Sequence, residues 1–139
     1  YSKSLAKDLK ESFKFMSTIS DSHFAVWDGC KDIAIKLGIT KIDSAYGYVF
    51  LHHEGQGMPV NLYKTIQSSD RKKIFIRPIS LLPADDFLKT DLSITVNGND
   101  AYEDVNKVIK QIKPQLTDNC IVLICAGLAS KVIMAKHLK

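Results

Sequence analysis

Residues 3–16, KSLAKDLKESFKFM, bring an apolar side chain to one side about once per turn: Leu5, Leu9, Phe13 and Met16, with Lys, Asp and Glu on the other face. That spacing predicts an amphipathic helix. SDSHFAVWDG then predicts a short strand over His23–Trp27, closed by the turn pair Asp28-Gly29. CKDIAIKLGI returns to helical register through Ile33, Ala34 and Leu37 and is stopped by Gly38. Residues 43–53, DSAYGYVFLHH, fit two periods. Asp43 can cap a helix carrying Tyr46, Phe50 and His53 on one side, whereas Val49 and the aromatics also suit a strand. GQGMP reads as a loop, with Pro59 near the first turn of a helix through Ile66.

Further on, Arg71-Lys72-Lys73 leads into the β-rich run IFIRPI, and PADDFLK, 83–89, reads as a short helix with Pro83 in its opening turn. LSITV, 92–96, is a third strand. NGNDAYEDVNKVIKQIKPQL places Ala101, Val105, Val108, Ile109 and Ile112 on one face, which predicts a helix over 100–113 that Pro114 helps to end. A strand over 120–125 and a helix over 129–138 complete the pattern. Short unbroken apolar strands alternating with helices are the signature of a parallel sheet covered on both faces. With right-handed crossovers, the expected fold is a single α/β domain over 1–139, Rossmann-like and doubly wound. IFIRP, LSITV and 120–125 are expected among its central strands, each buried on both faces.

Composition narrows the classes. Apolar residues make up 45% and charged residues 24% of the chain, as in an ordinary globular protein. No run approaches the ~18–20 apolar residues of a membrane span. No basic and apolar leader argues for secretion, so a cytoplasmic, reducing compartment is expected. The net charge of +4 points weakly to an anionic partner, but the lysines are spread over helices, which argues against nucleic acid. Cys30, Cys120 and Cys125 lack metal-ligand spacing; Cys120 and Cys125, in or beside an apolar run, read as buried and inert.

The closing stretch NCIVLICAGLASKVIMAKHLK runs from an apolar strand through Gly127 into a helix. In α/β folds ligands gather at the carboxyl ends of strands. Gly127 can therefore open the backbone to a phosphate at a helix N-terminus, with Ser130 adding a hydroxyl, or it can simply make the turn. AGLAS is neither a dinucleotide fingerprint nor a P-loop. Arg77, at the end of IFIRP, can grip a diphosphate bidentately or form a surface salt bridge. Asn97 and Asn99 can hydrogen-bond a ribose or uracil edge, or cap the next helix. Asp85-Asp86 suits a helix N-terminus better than a metal. His52-His53-Glu54 reads as a polar helix end or, more sharply, as a source of general bases, with His53 or Glu54 near a sugar hydroxyl. Gly55-Gln56-Gly57 would let that loop move over a donor.

The segment NDAYEDVNKVIKQIKPQLTDNCIVLICAGLASKVIMAKHL resembles the C-terminal half of the GT-D-type bacterial glycosyltransferases, which elongate glycans on proteins and surface polysaccharides. The similarity lies in Asn99, Ala101 and Tyr102, with Asp100 inserted, and in Gly127 to Val132, which stand where the family has a Gly-Pro-Thr-Ala-Lys-Val-like turn. Leu128, Ala129 and Ser130 replace its Pro-Thr-Ala. YSKSLAKDLKESF is similar to a helix of the family, and the resemblance covers about half the chain. It implies a nucleotide-sugar donor, a glycan or glycoprotein acceptor, and a divalent Mn or Mg ion. It also implies an Asp-Gly-Glu motif that is not seen here: Asp28-Gly29-Cys30 has a thiol where the carboxylate is required, a poor ligand for a hard cation. No metal ligands are identified, and the chain is expected to be a fragment of a larger transferase or a reduced relative, inactive alone. The alternative from another class is a non-catalytic Rossmann-like module that binds a small anionic ligand or a protein partner.

Overall fold

The computed structural model describes residues 2–22, 24–25, 31–39, 42–43 and 58–138. The chain divides into two compact units, Tyr1–Leu62 and Tyr63–Lys139.

In the N-terminal unit, α1 (Lys3–Met16) has the predicted bounds, and the Ser2 hydroxyl accepts the Leu5 N–H at 3.1 Å as its N-cap. Leu5, Ser12 and Met16 are buried, and the Phe13 ring packs against Phe24 at 6.3 Å. β1 (Phe24–Ala25) pairs in parallel with β2 (Ile42–Asp43), so Asp43 stands in a strand and not at a helix cap. Between them α2 (Lys31–Lys36) buries Ala34, while Ile33, expected on its inner face, is exposed. His52, His53, Glu54 and most of the ambiguous 43–53 segment lie outside the described residues, as do Asp28, Gly29 and Cys30.

α3 (Met58–Ser68) crosses the division between the units. The C-terminal unit then alternates β3 (Lys72–Pro78), α4 (Pro83–Leu88), β4 (Leu92–Val96), α5 (Val105–Ile112), β5 (Cys120–Ile124) and α6 (Ala129–Leu138). The three strands form an all-parallel sheet in the order β4-β3-β5, an α/β arrangement consistent with a Rossmann-like fold. The step from β3 to β4 runs one way across the sheet and the step from β4 to β5 runs back past β3. Right-handed connections then place α4 and α5 on opposite faces.

β3 is the central strand, and its residues Lys73 to Arg77 are buried without a break. Ile74 and Ile76, both 0% exposed, point to one face. α5 turns Val105, Val108 and Ile112 inward, and Val132 and Ile133 of α6 are fully buried. The other face mixes apolar and polar groups. Phe75 and Arg77 lie in register with Ser93 and Thr95 of β4, and the Arg77 guanidinium meets the Asp85 carboxylate of α4. Pro83 in the opening turn of α4 accounts for the local geometry: it suits a helix start and puts Asp85 in the first turn. Asp85 also accepts the Ser93 hydroxyl at 2.6 Å. At the other end of β3, the buried Lys73 amine donates to the Ser69 carbonyl at 2.8 Å and ties down the chain leaving α3.

Two expectations are corrected here. All five residues of β5 are partly exposed, and β4 is buried only in part, because among the described residues both are edges of this sheet; of its three strands β3 alone is buried on both faces. The helix expected over 100–113 is regular only from Val105, because the Asp104 carboxylate reaches back to the Asn97 N–H at 2.6 Å and holds 97–104 as a turn. Among the described residues no helix is long and apolar enough to cross a membrane.

The Arg77 guanidinium hydrogen-bonded to Asp85 holds that carboxyl below its ordinary 3.8; burial opposes this, and the Ser93 and Thr90 hydroxyls assist. A carboxyl whose pKa is lowered on folding contributes stability above its unfolded value, and loses it as pH falls through the folded one. Stability should therefore fall below about pH 3.8, and Asp85→Asn should flatten that limb of a pH series of urea midpoints. Breaking the pair with Arg77→Met should cost about 2 kcal/mol in urea unfolding, as loss of hydrogen bonds to a charged group does, since Asp85 keeps some contact with water. A loss of about 1 kcal/mol or less would class it with surface pairs.

Candidate functional site at the carboxyl ends of the strands

Ile76 is level with Ile124 of β5, and Pro78 is level with Val96 of β4. The loops after the three strands therefore leave the sheet at one edge. β4 and β5 flank β3, so the Asn97 and Gly127 loops stand roughly 10 Å apart, two strand spacings. This edge collects Arg77, Asn97, Asn99, Gly127 and Ser130 from the sequence candidates, but it uses them differently; His53 and Glu54 lie outside the described residues.

Arg77 is 2% exposed. Its Nε donates to Asp85 Oδ1 at 3.3 Å, its Nη2 to Asp85 Oδ2, and its Nη1 to Thr95 Oγ1 at 3.3 Å. The salt bridge expected at the surface is buried at its Arg77 end and half-buried at Asp85. A diphosphate would reach this guanidinium only by displacing Asp85. Alternation along β3 explains the outcome, since it turns Arg77 to the face that α4 covers.

Asn97 and Asn99 are exposed. The Asn97 side-chain carbonyl accepts the N–H groups of Asn99, at 3.0 Å, and Asp100, at 3.4 Å. This is an Asx turn that shapes the approach to α5. Gly98 backs onto Pro78, where an added Cβ would stand 3.4 Å from the proline Cβ.

Gly127 has φ +53, the left-handed region where a side chain is strained. A Cβ there would meet nothing within 4 Å. The turn itself therefore requires the glycine, and the space above it is open. Ser130 is buried and folds its hydroxyl back onto the Gly127 carbonyl at 2.7 Å, a contact that holds the first turn of α6. Its proton is used inside the protein, not offered outward as expected.

Lys131 was not among the candidates from the sequence, although it is the lysine of the Gly127–Val132 turn. Its amine donates to Ser130 Oγ at 3.1 Å. Among the described residues no carboxylate pairs with it, and burial pulls its pKa below the ordinary 10.5, opposed by charge on Cys125. Cys125 is exposed, not buried as expected, because it follows an edge strand. Shielding of its thiol still raises its pKa, and the Lys131 amine acts in the other direction. The result is a helix N-terminus with one cation and one thiol beside it. Such a set can attract an anion, and among the described residues it offers no carboxylate to a hard divalent cation. Among the described residues no group of three His, Cys, Asp or Glu could bind a metal.

No known protein family matches the chain, and neither curated proteins nor solved structures supply a similar one. The glycosyltransferase resemblance rests on the residues quoted for it.

Gly127→Ala should lower stability by about 1 kcal/mol, from backbone strain alone, because its Cβ enters open space. Paired urea unfolding curves measure this. No change in midpoint would mean that Gly127 does not hold a left-handed conformation.

Proposed function

We propose that the C-terminal unit binds the diphosphate of a nucleotide-sugar donor at the carboxyl edge of β3, β4 and β5. The chain would then be the donor-binding portion of a cytoplasmic bacterial glycosyltransferase acting on a glycan or glycoprotein acceptor in polysaccharide biosynthesis. One observation carries this reading: the open backbone at Gly127 lies just ahead of α6 and of Lys131, whose amine has no carboxylate partner among the described residues. Partial charge at a helix N-terminus and a nearby ammonium both favour a phosphate. The exposed Asn97 and Asn99 suit the nucleoside end, roughly 10 Å across the sheet edge.

The corresponding reaction is attack of an acceptor hydroxyl on the sugar C1, with the nucleoside diphosphate leaving. Lys131 and the first turn of α6 would take up part of the charge that develops on the departing diphosphate. Glu54 and His53, expected from the sequence as general bases, lie outside the described residues and take no part in this reading. The Mn or Mg ion implied by the resemblance finds no ligand set among the described residues, and no step is assigned to it. Cys30, a thiol where the resemblance calls for a carboxylate, favours a second reading: the same anion site in a module that binds a ligand or a protein partner without turning it over.

Calorimetric titration with uridine diphosphate tests the first step. Lys131→Gln should weaken binding roughly tenfold or more, as loss of a charge-assisted hydrogen bond does, while leaving the urea midpoint nearly unchanged. Equal affinity in the two proteins, or no binding to either, would overturn the proposal. The pH dependence has a definite sign. Because the Lys131 pKa is lowered, affinity should decline at a lower pH than an ordinary lysine of 10.5 would give, and Lys131→Gln should remove that decline. Nucleotide-sugar turnover by the 139-residue chain is expected to be absent or feeble; clear turnover would instead favour a complete enzyme with Glu54 and His53 as its bases.

A further inference from the structure

We draw no further inference here: the strongest candidate, the partly exposed apolar outer edge of β5 with the neighbouring exposed Leu128 and Met134 of α6, carries nothing because no feature among the described residues shows what covers it.

Discussion

Burial of β3 on both faces is the constraint on which the C-terminal unit depends. Five successive residues, Lys73 to Arg77, lose contact with water, and two of them carry charge. On one face Ile74 and Ile76 supply apolar surface to the core. On the other face the buried guanidinium of Arg77 is tolerable only with a counter-charge and hydrogen bonds. Asp85 provides the charge, and Thr95 and the Ser93 hydroxyl complete the network. That ion pair ties α4 to β3, and hydrogen bonds through Thr95 and Ser93 join β4, already paired with β3 along its backbone, to the same network. The functional reading follows from it, because the guanidinium best placed along the chain to meet a diphosphate is needed by the fold.

What remains for a ligand lies on the β5 side of the sheet edge. There the strand has no second neighbour among the described residues, Gly127 leaves its backbone open, and the Lys131 amine rests on a serine hydroxyl and no carboxylate. In the proposed reading, fold and binding use different cations. Arg77, with a planar fork suited to a carboxylate, fixes the sheet, and Lys131, a compact point charge, remains for an anion.

Much of this fold is legible in the sequence where periodicity and local chemistry agree. α1, β4 and α6 have the bounds their apolar spacing predicts, and Ser2 caps α1 as such a residue should. The misses share a cause: each depends on a neighbour distant in the chain or on a side chain's direction. An unbroken apolar run cannot separate an edge strand from a central one, so β5 and Cys125 both read as buried. The role of Arg77 depends on Asp85, across a crossover, and on which face of β3 the residue takes. Ser130 carries the right hydroxyl for a phosphate, but its nearest acceptor is the carbonyl of Gly127 three residues back. Lys131 does not stand out in the sequence because one lysine in a helix ordinarily belongs to a solvated face, and only the geometry shows its partners. Nothing in the described residues bears on His53 and Glu54.

The division of labour between the two cations is open to one direct measurement. Backbone amide resonances of the intact chain can be followed through a titration with uridine diphosphate. The account requires saturable shifts at Cys125 to Lys131 and at Asn97 to Asn99, with Arg77, Asp85 and Ser93 left in place. Shifts centred on Arg77 and Asp85, or none at Gly127 to Lys131 under saturation, would contradict it.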